Sequence, residues 1–390
     1  MNFNNGSFCP LPFVHQEKFF NNKHNICCYG QQTQSDNPTQ NSIESFNSVR
    51  INSVRTKMLA GDRPEECSSC YKFEDQGGHS PRMFETPAWL NLLGARQSLE
   101  HNIEKFKANE IVTPTSYDLR YSNTCTLKCR MCNSGSSTSI NQEYKKLQSQ
   151  WPRKFWTTPN SRTDHEILLN EDLQKIYLAG GEPLVEPLNL DLLRRVADVN
   201  PAVNLVINTS LNRLTDDWLA VLNRFTNLTF TISLDGIGTV NDYIRHGSDF
   251  ATVMQNIERV RSCGHELLFS SCISLYNIFD VSNIVNYVAN RFPEAADSHG
   301  INIVNDVEEL FVENVPPELR SALIEELKNL STSIGNTPCI GVQNLILILE
   351  QDNFNPNKFE NFIKYTTILD EHRGESIVQI QPKFVEYFDK

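Results

Sequence analysis

Residues Cys125-Thr126-Leu127-Lys128-Cys129-Arg130-Met131-Cys132 put three cysteines into eight positions. A closed zinc or iron–sulfur site takes four protein ligands. Three thiols with no fourth close by imply a metal centre with one position left open. The C-x3-C-x2-C spacing lets one loop wrap one cluster, as compact iron–sulfur runs also do. Three thiolates can hold three irons of a [4Fe–4S] cube and leave the fourth iron for a small molecule. Lys128 and Arg130 would offset the negative charge of such a cluster. The competing reading is a zinc site completed by a distant His or Cys.

On both sides of this loop the pattern is strand, loop, helix, repeated. TSYDLRYSN (115–123), KIYLAG (175–180), NLVINTS (204–210), NLTFTISLD (227–235), ELLFSSCISL (266–275) and GINIVN (300–305) read as strands. SINQEYKKLQSQ, NLDLLRRVADV, TDDWLAVLNRF, FATVMQNIERVRSC and SNIVNYVANRF read as the helices between them. Apolar strands alternating with amphipathic helices make parallel βα units. Six such strands without a dinucleotide-binding glycine loop predict an α/β fold, a partial (β/α)6 barrel related to the TIM barrel. In barrels of this kind the chemistry sits in loops after the strands. The three-cysteine loop follows the first strand and Gly180-Gly181-Glu182-Pro183 the second. Asn208 ends the third, and Ser233-Leu234-Asp235-Gly236 ends the fourth. The sequence therefore predicts four chemically loaded segments at one mouth.

The chain has 390 residues, 39% hydrophobic and 21% charged, with a net charge of −12. That composition fits a soluble globular protein. An acidic chain is poorly suited to a phosphate backbone, which argues against nucleic acid as partner. No apolar run reaches the roughly 18 residues of a membrane helix, and MNFNNGSFCPLPF lacks the features of a secretory signal, so the expected location is the cytoplasm. Of 11 cysteines, eight lie in the first 132 residues. Clustering of this kind reads as metal ligation rather than disulfide bonding. Cys263 and Cys272 read as packing. The histidines show no metalloprotease pairing, and hydrolase and P-loop signals are absent. The expected organisation is a cysteine-rich module (1–78), a helical linker (79–112), the partial barrel (113–306) and a C-terminal helical extension (307–390). Within the first two, QQTQSDNPTQNS (31–42) reads as a polar loop. VRINSVRTKML (49–59) reads as a short helix, and a further helix is expected near 88–108.

The cysteine motif, its place after the first strand and the later segments resemble the radical S-adenosylmethionine (SAM) enzymes over residues 115–305. That family often has an aromatic residue before the last cysteine; here it is Met131. The resemblance implies that Cys125, Cys129 and Cys132 hold a [4Fe–4S] cluster whose open iron chelates SAM. It implies reductive cleavage to methionine and a 5′-deoxyadenosyl radical, which takes a hydrogen atom from the substrate. Gly180, Gly181 and Glu182 match the family's Gly-Gly-Glu element, whose carboxylate accepts the SAM ammonium. Ser233, Asn208 and Arg245 resemble further SAM contacts, Arg245 through the SAM carboxylate. Read alone, GGEP is a tight turn, SLDG a hairpin-like turn and Arg245 a surface ion pair. Asp235 reads as a cap for the segment after it.

Cys9, Cys27 or Cys28, Cys67 and Cys70 resemble the twitch or SPASM modules that hold auxiliary [4Fe–4S] clusters. The cues are FCPLPF, a hairpin ending in the cysteine pair, VRTKMLAGDRP and ECSSC. Such modules usually follow the barrel, whereas here the cysteines precede it. Adjacent strand residues point to opposite faces, so only one of the pair serves, and Cys27 is preferred. A structural zinc site with four cysteines is the alternative. The resemblance implies a peptide or protein substrate and an electron donor such as flavodoxin or ferredoxin. A nucleotide or small metabolite is the alternative substrate class. A non-catalytic, zinc-stabilised binding protein is the alternative of another class.

Overall fold

The structure, a computed structural model, describes residues 6–20, 23–30, 42–150, 167–351 and 353–388. All but the last residue of the polar loop expected at 31–42 lies outside them. The chain divides into two compact units. One comprises Met1–Asn123, Ser161–Ile207 and Asp216–Leu228; the other comprises Thr124–Asn160, Asn208–Thr215 and Thr229–Lys390.

In the first unit the strands are β1 (His15–Lys18), β2 (His24–Asn25), β3 (Ser116–Leu119), β4 (Lys175–Leu178) and, as far as Ile207, β5 (Asn204–Thr209). β1 pairs antiparallel with β2 and parallel with β3, and β3–β4 and β4–β5 are parallel. His15 stands opposite Ser116 and Lys18 opposite Leu119. β1 has no apolar alternation, yet its four residues are all buried. Its charge is absorbed by neighbours: Arg120 pairs with Glu17 at 3.1 Å and with Asp118 at 3.0 Å.

The helix expected at 49–59 spans Val49–Ala60, starts on the Ser48 hydroxyl and ends at Gly61. The helix expected near 88–108 is two helices, Pro81–Asn91 and Leu93–Lys107. The break is at Leu92, whose backbone is extended. Phe8, Phe13, Val14, Val54, Met58, Trp89, Leu99 and Ile103 form a core here. Each such side chain contributes about 1.5–3 kcal/mol through burial, so this Asn/Gln-rich region has more apolar core than its composition suggests.

In the second unit β6 (Leu228–Ser233), β7 (Glu266–Ile273) and β8 (Gly300–Ile303) run parallel, with Thr229 opposite Glu266 and Ser270 opposite Gly300. On β7 every second residue, from Leu267 to Ile273, is buried, as a half-covered strand requires. All six expected strands are present, each shorter than its sequence run. The expected α/β class, with mostly parallel strands, is the class of the fold. The helices Pro317–Ser331, Asn336–Glu350 and Pro356–Arg373 follow, and Leu323, Leu327, Leu345, Phe362 and Tyr365 join them into the unit's core. Gly341 is needed there, because a Cβ would lie 2.5 Å from the side chain of Ile301 on β8. Among the described residues no helix is long and apolar enough to cross a membrane.

Candidate functional site

In the second unit the three-cysteine loop is held by backbone bonds on both sides of Cys129. The Lys128 N–H donates to the carbonyl of His246 at 2.8 Å, and the Arg130 N–H to that of Ile244 at 2.7 Å. The Ser139 hydroxyl donates to the Cys125 carbonyl at 2.7 Å, and the Leu127 N–H to the Cys125 sulfur at 3.4 Å. Burial pushes the Cys132 thiol up strongly, and Cys129 and Cys125 push it further in the same direction. Burial also pushes Cys129 up, against the pull of Arg245 and Arg373. The three thiols thus share one neighbourhood. Thiols kept protonated by burial become ligands when a metal supplies the missing positive charge.

Among the described residues no group of three His, Cys, Asp or Glu side chains is placed to hold one metal ion. A cube asks for a different arrangement, since each thiolate binds its own iron and the thiolates stand further apart. Three thiols in one loop are the donor set that a [4Fe–4S] cluster with one open iron would take.

Asp235 does not act as a helix cap. It is fully buried, its Oδ1 accepts the Cys272 N–H at 2.7 Å, and its Oδ2 pairs with Arg245 Nε at 2.6 Å. Arg245 is accordingly no surface ion pair. The Cys272 backbone binds the same carboxylate, and burial pushes its thiol up, with Asp235, Arg245 and Cys129 acting on it. Ser233 donates to Asn208 Oδ1 at 3.3 Å. Arg130 does not face the thiols. Its guanidinium is fully buried, pairs with Asp370 at 2.6 Å and Glu375 at 2.5 Å, and lies 3.7 Å over the Tyr243 ring.

The Gly-Gly-Glu element lies in the first unit. Gly180 has φ +123°, and a Cβ there would stand 2.9 Å from the Ser122 carbonyl, which also accepts the Gly181 N–H at 3.2 Å. The glycines thus permit close approach of the chain to itself. Glu182 is buried and accepts the Leu184 N–H at 3.3 Å. Glu186, which sequence reasoning missed, accepts the Ser122 hydroxyl at 2.5 Å and the Leu188 N–H at 3.2 Å.

The first unit also brings the N-terminal cysteines together. Cys9, Cys27, Cys28, Cys67 and Cys70 line one cavity of about 260 Å³, with Arg82, Asp118, Arg120 and Tyr177. The Asn25 amide braces the turn that presents the pair, donating to the carbonyls of Cys27 at 2.9 Å and Gly30 at 3.1 Å. Burial pushes Cys27 up, and the thiols acting on it are Cys28 first, then Cys9 and Cys67. Cys67 is pushed up to about 12 by burial and then by Cys70. Cys28 is also pushed up to about 12 by burial, but the charges acting on it are Glu17, Asp118, Arg120 and Glu85. The two adjacent thiols therefore face different company. Five thiols thus line one cavity, and four of them would make a donor set for a four-iron cluster.

Residues 119–286 match the family model of the radical SAM superfamily. That stretch, which holds the three-cysteine loop, is thus similar to a radical SAM domain. No curated protein matches the chain in sequence. Among solved structures, Streptococcus suis SuiB bound to the precursor peptide SuiA shares 13% identity, with a TM-score of 0.39, over 70% of this chain and 62% of that one. The structure of anSMEcpe with bound AdoMet and the Cp18Cys peptide shares 15% identity, with a TM-score of 0.38, over 56% of this chain and 58% of that one. The chain thus spans less than two thirds of the length of the solved structures it matches.

Proposed function

We propose that this chain reductively cleaves SAM at a [4Fe–4S] cluster held by Cys125, Cys129 and Cys132, and turns the resulting radical on a peptide or protein. The observation that carries the reading is the loop itself: three thiols in eight residues, Cys129 and Cys132 pushed up by burial, Cys129 and Cys125 acting on Cys132, and the charges of Arg245 and Arg373 acting on Cys129. When bound, the cluster supplies the electron that splits SAM into methionine and a 5′-deoxyadenosyl radical. The chain's own part is binding and placement. Glu182 offers a buried carboxylate to the SAM ammonium. Arg245 is fixed to Asp235 through Nε, and its Nη groups serve the SAM carboxylate. Asn208 offers an amide contact and Ser233 a hydroxyl contact.

The gathering of Cys9, Cys27, Cys67 and Cys70 in one cavity supports the reading of a second, auxiliary cluster. Its resemblance to twitch and SPASM modules is the ground for proposing a peptide or protein substrate. A small soluble carrier such as flavodoxin or ferredoxin would deliver the electron. The test is anaerobic reconstitution, iron analysis, and incubation with SAM and dithionite. Two cubes give about eight irons per chain, and 5′-deoxyadenosine should accumulate. Replacing Cys125, Cys129 and Cys132 by Ala together should remove about half the iron and all of the 5′-deoxyadenosine. A triple variant that keeps its iron would sink the assignment of the motif.

A further inference from the structure

The last long helix, Pro356–Arg373, reaches the three-cysteine loop from far along the chain. Arg373 Nη2 donates to the carbonyl of Lys128 at 3.0 Å, next to Cys129 in the chain. The same guanidinium grips Glu143 in a fork, Nε to Oε1 at 3.1 Å and Nη2 to Oε2 at 2.6 Å. The Arg373 and Glu143 side chains are 2% and 1% exposed. Arg373 Nη1 is buried and finds no acceptor among the described residues. Tyr365, two turns earlier on that helix, donates its hydroxyl to the carbonyl of Arg130 at 3.2 Å. Asp370 and Glu375 hold the Arg130 side chain, so the loop is gripped on both flanks of Cys129.

We propose that this C-terminal helix is part of the cluster site, with Arg373 as the positioning residue that fixes the Lys128 carbonyl and sets a buried cation beside the loop. The proposal rests on the reading that Cys125, Cys129 and Cys132 hold the cluster. Fixing the carbonyl of residue 128 fixes the whole peptide plane between Lys128 and Cys129, and with it the direction in which Cys129 leaves the backbone. A buried Arg–carboxylate pair is by itself a poor source of stability, because desolvation offsets the attraction. What it does provide here is a planar fork in one orientation, tied to a loop that must keep three thiols in register. The cation also has an electrostatic consequence. Reduction adds negative charge to a cluster that thiolates already make negative, so a nearby buried cation favours the reduced form. The orphaned Nη1 is the kind of donor that a group outside the protein's own residues can satisfy.

The test uses the full-length protein, reconstituted anaerobically. Arg373→Gln is compared with Arg373→Lys by iron analysis, by the electron paramagnetic resonance signal of the reduced cluster and by redox titration. Arg373→Gln should lower the ratio of reduced to oxidised cluster at a fixed potential about tenfold, which for one electron is about 59 mV. Arg373→Lys restores the charge but not the fork, and should recover part of that shift while leaving the signal altered. Arg373→Gln leaves Glu143 without its main partner, so the double variant Arg373→Gln with Glu143→Gln provides a fold without a stranded charge. Its circular dichroism should be that of the wild type, and its signal should differ from it. Folded variants with wild-type signal and potential would overturn the role of Arg373 and leave the cluster reading intact. A wild-type protein that takes up no iron–sulfur cluster would overturn both.

Discussion

Asp235 and Arg245 meet at 2.6 Å with the carboxylate fully excluded from water and the guanidinium 12% exposed. Burial pushes the Asp235 carboxyl up, and Arg245 pulls it back. Removing one partner of such a pair strands the other and costs about 3–5 kcal/mol. Asp235→Asn keeps an acceptor for the Cys272 N–H, so its cost should lie near the lower end. The variant should also respond to loading. In the metal-free protein Arg245 is left without a counter-charge, whereas a negatively charged cluster at Cys129 would compensate it. Urea unfolding should therefore show a larger loss in the metal-free protein than in the loaded one, and adding Arg245→Gln should recover much of it. Equal losses in the two forms would mean that Arg245 does not sense the cluster site.

A second prediction concerns pH. The Ser271 hydroxyl donates to the Leu234 carbonyl, so its oxygen must accept the proton on His299 Nε2, 2.8 Å away. That fixes the tautomer. Nδ1 is then the unprotonated nitrogen, and it is buried without a hydrogen-bond partner among the described residues. Burial lowers the pKa of His299 from 6.5 to about 4. Below pH 6.5 the unfolded chain takes up a proton that the folded chain refuses. The unfolded state then binds more protons, and stability falls as pH falls toward 4. Between pH 7 and pH 5 this one group should account for about 2 kcal/mol. His299→Asn should remove that part of the difference in unfolding free energy between the two pH values. An unchanged difference would show that His299 titrates normally.

The parts of this fold that were legible in the sequence are those governed by local pattern. The alternation of apolar segments with amphipathic helices gave all six expected strands, and the spacing of Cys125, Cys129 and Cys132 pointed to their loop. β1 escaped because the polar HQEK is buried through its pairing with β3 and through the Glu17–Arg120–Asp118 charges, which no periodicity announces. Asp235 read as a cap because an aspartate before a glycine usually is one; its true partner comes ten residues later, across a turn. Arg130 looked like a counter-charge for the cluster because it sits between two cysteines, but neighbours in a loop point different ways. Glu143 and Arg373 are 230 positions apart, so their fork could be found only once the chain had folded.

Glu182 offers a third prediction. Its carboxylate is buried and already accepts the Leu184 N–H at 3.3 Å. If it also receives the SAM ammonium, Glu182→Gln should weaken SAM binding and leave iron content unchanged. The loss of one charge-assisted bond in a site closed to water costs about 1.5–3 kcal/mol, or about ten- to a hundredfold in affinity. Gln retains an acceptor oxygen for the Leu184 N–H, so the turn itself should survive. Equilibrium binding of SAM to the reconstituted variant decides the matter, and unchanged affinity would return the segment to a purely structural turn.

The last prediction separates the two adjacent cysteines of the N-terminal cavity. The thiols acting on Cys27 are Cys28, then Cys9 and Cys67, whereas the charges acting on Cys28 are Glu17, Asp118, Arg120 and Glu85. If Cys9, Cys27, Cys67 and Cys70 hold an auxiliary cluster, Cys27→Ala should lower iron by up to four per chain, and Cys28→Ala should leave it unchanged. The double variant Cys67→Ala with Cys70→Ala should stop turnover of the true substrate yet leave SAM cleavage, which needs only Cys125, Cys129 and Cys132. Phe8, Phe13, Val54, Met58 and Leu99 supply a core that does not depend on the thiols. Limited proteolysis of the double variant should therefore show local loosening around Cys67 and Cys70 rather than loss of the whole N-terminal region. Equal iron loss in Cys27→Ala and Cys28→Ala would refute the division between the two thiols. Normal substrate turnover by an intact Cys67→Ala, Cys70→Ala protein would make the N-terminal site structural, and zinc analysis of the protein as purified would then be the measurement to make.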